Sequence, residues 1–159
     1  EFLLHRMREP QNEYVIIDGT AGTDFAVSTL SFASDVVVFV VEPTMKSVRV
    51  CKEYLQVQKD QPLQVPVHTV FNKVESQDDQ EFLESQFKAL GIIQRSQHLK
   101  QFEKTGTGFH NFVDDNKELL EKIKSLPPRN DEELHEEALQ AAFQREWSSW
   151  GEAYFTEKS

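Results

Sequence analysis

Cysteine is nearly missing from this sequence: Cys51 is the single one among 159 residues. One thiol rules out an internal disulfide framework and points to a reducing compartment, so a cytoplasmic location is expected. No apolar run approaches the roughly 20 residues that a membrane-spanning helix needs, and no signal-peptide pattern is visible in these residues. Basic residues are scarce relative to acidic ones, 17 Lys and Arg against 27 Asp and Glu, for a formal charge of -10. That balance disfavours direct nucleic-acid binding, which draws on phosphate neutralisation, and it disfavours insertion into anionic membranes. The histidines are dispersed without a metal-ligand spacing, and there is no serine elbow. Internal repeats and low-complexity segments are absent. So is the phosphate-loop pattern G-x-x-x-x-G-K-[ST].

What remains is a chain that is 38% hydrophobic and 28% charged, with 12 phenylalanines, enough for one domain with a real core. Residues 1–9, EFLLHRMRE, read as the tail of a helix entered part-way, so the chain is expected to begin inside a larger domain. Tyr14–Ile17 is expected to be a buried strand and Asp24–Phe32 a short helix. Asp35–Glu42, DVVVFVVE, has the continuous apolar character of a central parallel strand. After Pro43 and Thr44, the spacing predicts a helix over Lys46–Lys59, with Val48, Cys51, Tyr54 and Leu55 inward. Gln64–Phe71 is expected as the next strand. A helix over Asp78–Leu90 follows, with Phe82, Leu83, Phe87 and Leu90 inward, Ser76 and Asp79 as a capping pair and Gly91 as terminator. Ile92 and Ile93 then start a short strand, and His98–Phe102 is expected to make a turn or two of helix. Phe109–Leu126 forms a further helix that Pro127 and Pro128 stop.

The expected fold class is therefore α/β, a mostly parallel sheet with flanking helices joined by right-handed crossovers. Residues 1–128 are read as one partial α/β domain and 129–159 as an acidic amphipathic C-terminal helix. In that tail Leu139, Phe143, Trp147, Trp150 and Tyr154 recur at helical spacing. The stripe either packs on the parent domain or faces a partner, and Trp147, Trp150 and Tyr154 are interface candidates.

Chemistry concentrates where strands are expected to end, because ligands of open parallel sheets bind at the carboxyl edge. Tyr14–Gly22, YVIIDGTAG, runs from β-prone residues into Asp18 and a small turn. Asp18 there suits a water-mediated magnesium ion beside a phosphate, and Gly19 and Gly22 let backbone approach it. Glu42 ends the second strand and either touches nucleotide or metal or caps the next helix. Lys46 and Ser47 open that helix and either serve an interface or are solvated. Asn72 and Lys73 follow the third strand. The asparagine amide, one donor group and one acceptor, can read a purine edge, and the lysine stem can lie over the ring. His68 and Cys51 are read as packed side chains.

Taken together, YVIIDGTAG, SDVVVFVVEPTMKSVRVCKEYL and VFNKV resemble the later part of a deviant-Walker P-loop ATPase. That group includes the MinD and ParA proteins and the nickel-insertion accessory ATPases of carbon monoxide dehydrogenase, and the last are nearest through the V-E-P-T-x-K-S string. The resemblance covers roughly Tyr14–Leu126. It implies a P-loop NTPase-like fold, ATP and Mg2+ as cofactors, and a homodimer or a complex with a protein partner. It also implies a molecular switch, or an accessory ATPase of the maturation or partition type, that binds and hydrolyses ATP. On that resemblance Asp18 is the catalytic, magnesium-side aspartate and Gly22 lies in the γ-phosphate turn. Asn72 reads adenine, and Lys46 and Ser47 fall near the nucleotide and dimer region. The phosphate loop would have to come from upstream sequence or another chain. The alternatives are a non-enzymatic protein-interaction module on a degenerate NTPase scaffold and, third, a GTPase fragment, since N-K-V-E approximates N-K-x-D.

Overall fold

Ser28 splits what reads in the sequence as one helix. Helices α1 (Thr23–Ala26) and α2 (Thr29–Ala33) stand on either side of it, in place of the single helix expected over Asp24–Phe32. The Ser28 backbone is extended, with φ -77° and ψ 150°. Its Oγ accepts from the Ser31 N–H at 3.2 Å and donates to the Phe25 carbonyl at 2.8 Å. A hydroxyl that satisfies an orphan amide in this way starts a new helix.

The computed structural model describes residues 14–19, 23–26, 28–61 and 64–128. The described residues of one unit fall within 14–35 and 54–65, and the other unit comprises Val36–Glu53 and Pro66–Pro128. The expected helix over residues 1–9, Gly22, and the tail with Trp147, Trp150 and Tyr154 lie outside the described residues.

In the second unit, β1 (Val37–Val41), β2 (Val67–Val74) and β3 (Ala89–Gln94) form a three-stranded parallel sheet in the order β1-β2-β3. Helix α3 (Met45–Lys59) joins the first two strands and α4 (Gln77–Glu84) the second two. Helices α5 (Gln97–Thr105), α6 (Phe109–Asp115) and α7 (Lys117–Lys124) follow. The α/β class and the parallel sheet agree with the sequence reading. Parallel pairing needs a crossover long enough to return the chain, and α3 and α4 supply it.

Helix α3 runs almost as its spacing predicts. Val48, Cys51, Tyr54 and Gln58 are buried along one stripe, while Leu55 is only half-buried. Burial pushes the Cys51 thiol up to about 11, which keeps it protonated and unreactive, consistent with a core role. Gln58 is the polar member of the stripe. Its Nε2 donates to Ser31 Oγ at 3.1 Å, and its Oε1 accepts from the Val65 N–H at 3.3 Å. Tyr54 Oη lies 3.3 Å from Ser31 Oγ, so three buried polar side chains satisfy one another.

Four further expectations need correction. Tyr14–Ile17 is not a strand: residues 14–19 carry no regular structure, and Tyr14, Val15 and Ile16 are 69%, 51% and 91% exposed. β-propensity reports fit to a half-buried pleated surface, whereas these three side chains are largely exposed. β2 is displaced from Gln64–Phe71 to Val67–Val74, so Asn72 and Lys73 lie inside the strand and not after it. Pairing with β3 carries the strand onward, through Asn72↔Ile93 and Val74↔Gln94. Helix α4 stops at Glu84, and Leu90 and Gly91 belong to β3 instead of ending a helix. The long helix over Phe109–Leu126 is two helices, broken at Asn116, whose Nδ2 donates to the Phe112 carbonyl at 2.8 Å.

Gly91 has a packing role that its position in β3 explains. A Cβ built there would stand 2.5 Å from Leu119 Cδ1, so the bare backbone is what lets α7 seat its buried leucine on the sheet. The Ser76–Asp79 pair forms a complete capping box at the start of α4. Ser76 Oγ accepts from the Asp79 N–H at 3.1 Å, and Asp79 Oδ2 accepts from the Ser76 N–H at 3.2 Å.

Candidate functional site at the carboxyl edge of the sheet

Parallel strands bring the residues at their carboxyl ends to one edge, and here that edge collects Glu42, Asn72, Lys73, Glu75 and Arg95. Glu42 follows β1, Glu75 follows β2, and Arg95 follows β3. The register places Val41 beside Phe71 and Val74 beside Gln94, so these chain ends are neighbours.

The turn between β1 and α3 is closed by its own polar groups. Thr44 Oγ1 accepts from the Ser47 N–H at 3.1 Å, and the Thr44 carbonyl accepts from the Val48 N–H at 3.0 Å. Thr44 is therefore the cap of α3. Ser47 Oγ turns back and accepts from the Glu42 N–H at 3.0 Å. Glu42 does not cap the helix, one of the two roles its sequence position allowed. Its carboxylate instead meets Lys73 Nζ at 2.6 Å, across the ends of β1 and β2. Lys46 is exposed in the first turn of α3.

Lys73 reaches Glu42 from an unusual backbone. Its φ is 58°, and it is the non-glycine residue with positive φ among those described. The register of β2 on β3 shifts between Asn72 and Val74, so Lys73 is the extra residue of a bulge. Asn72 Oδ1 accepts the Lys73 N–H at 3.0 Å, which leaves the Asn72 amide donors and a second oxygen lone pair. Left-handed backbone on a lysine is a strained state, and such strain gathers where side chains are being aimed.

Next along the edge, the Arg95 guanidinium is hydrogen-bonded to the Glu75 carboxylate. The Arg95 N–H donates to the Val74 carbonyl at 3.0 Å and the Glu75 N–H to Asp79 Oδ2 at 3.0 Å, so main chain holds both partners in place. Sequence reasoning did not single out Arg95 or Thr44, and it met Glu75 only as the last residue of N-K-V-E in the GTPase alternative. The available signals were an arginine two residues after the Ile92–Ile93 run and a threonine three residues before Ser47.

Of the residues expected to form a site, Glu42, Ser47, Asn72 and Lys73 are brought together. Asp18 and Gly19 belong to the other unit, where Asp18 is exposed and ends no strand. A Cβ on Gly19 would meet the Phe25 ring at 2.9 Å. Asp18 is a single exposed carboxylate on an irregular segment, so by itself it offers one oxygen ligand. Among the described residues no group of three or more His, Cys, Asp or Glu is placed to hold a metal directly, and no helix is long and apolar enough to cross a membrane.

The chain matches no protein-family model, no curated protein and no solved structure.

Proposed function

We propose that the carboxyl edge of the β1-β2-β3 sheet is the base-binding part of a nucleotide site in an ATP-driven molecular switch. The observation that carries the reading is the convergence of Asn72, Lys73 and Glu42 at adjacent strand ends, with Lys73 held in a strained bulge. Asn72 supplies the paired donor and acceptor that a purine edge needs. The Lys73 stem supplies a flat apolar cover. The deviant-Walker resemblance of SDVVVFVVEPTMKSVRVCKEYL and VFNKV supports ATP as the nucleotide. The sequence lacks the phosphate-loop motif, so in this proposal another segment or a partner chain contributes it. Assembly as a homodimer or with a protein partner belongs to the same proposal.

The magnesium and hydrolysis part rests separately on the D-x-x-x-G context of Asp18. Asp18 would hold a metal-bound water, and the metal would supply charge neutralisation of the transferring phosphoryl group. Its test is magnesium-dependent ATP turnover by the chain assembled with the segment or partner that carries the phosphate loop, which Asp18→Ala abolishes; unchanged turnover defeats that assignment.

Calorimetric titration of ADP and ATP into the chain tests the base site. Asn72→Ala should weaken binding by about tenfold or more, the worth of a pair of directed hydrogen bonds. A wild-type chain that takes up neither nucleotide, at concentrations high enough to fill a base site without its phosphate loop, removes the reading. The second reading is a protein-interaction module on the same scaffold. It draws on the engagement of Lys73 by Glu42 and of Arg95 by Glu75, which commits both cations to carboxylates and away from phosphate.

A further inference from the structure

We draw no further inference here: the strongest candidate, the partly exposed aromatic cluster of Phe102, Phe109 and Phe112 on helices α5 and α6, carries none because nothing in the structure shows what covers it.

Discussion

Replacing Lys73 with glycine should stabilise the protein relative to replacing it with alanine, the reverse of what a strand interior normally gives. In an extended strand, glycine is the worse residue by roughly 0.5–1 kcal/mol, through the backbone entropy it loses on folding. Lys73 is not extended: its φ is 58°. Any residue with a Cβ suffers roughly 1–2 kcal/mol there, and glycine does not. The balance favours glycine over alanine by about 1 kcal/mol. The ion pair to Glu42 is a separate contribution, lost in both variants. Its side chains are 53% and 39% exposed, so solvent screening leaves it worth roughly 0.2–1 kcal/mol. The expected order is therefore glycine at or above wild type, and wild type above alanine. Urea denaturation followed by circular dichroism reads the difference. With a slope of roughly 1–3 kcal/mol/M, the two variants should part by about 0.3–1 M in midpoint. Raising the salt should shrink the gap between wild type and alanine but not the gap between glycine and alanine, because only the ion pair is screened. Alanine equal to or above glycine would refute the claim that the bulge strains Lys73.

Gly91→Ala should destabilise by about 1–3 kcal/mol, because the new methyl drives Leu119 from a buried position; thermal unfolding measures it. Ser76→Ala should cost roughly 0.5–2 kcal/mol by removing half of the capping box, measured by the same unfolding curves, while Gln77→Ala next to it should change little. Cys51 should react with a thiol reagent only on unfolding. Its folded value lies near 11, above the ordinary 9.0, so the neutral thiol is the form that the fold favours. The sign follows: this contribution is fully present below pH 9 and is lost as pH rises from about 9 to 11, by an amount on the order of 2–3 kcal/mol. Cys51→Ala should flatten that part of a stability-against-pH curve.

The parts of the fold legible in the sequence were those where local pattern and tertiary context agree. Val37–Val41 is apolar throughout and is a strand; Met45–Lys59 carries its buried residues at helical spacing and is a helix. Errors arose where pairing overruled pattern. Leu83, Phe87 and Leu90 mimic a helical stripe, yet β2 recruits Ala89–Gln94 as a parallel neighbour. Tyr14–Ile17 has strand-forming residues, but propensity without a ladder does not make a strand. At the candidate site, Glu42 could be picked out as a strand-end group, whereas Asn72 and Lys73 read as following a strand that in fact contains them. The pairing of Glu42 with Lys73, the bulge that aims Lys73, and the Arg95–Glu75 pair depend on register between strands, which one sequence does not display. Gln58 was missed because a glutamine on a helix reads as solvated, whereas here Ser31, Tyr54 and Val65 satisfy it.

Amide NMR shifts recorded while ADP is titrated into the chain test most directly that this sheet edge receives a nucleotide. Saturable shifts should concentrate at Glu42, Thr44, Asn72, Lys73 and Glu75, and Asn72→Ala should weaken the titration without abolishing the fold. A saturating titration that leaves those amides unmoved, or no titration at all, would contradict the assignment of a nucleotide to this edge.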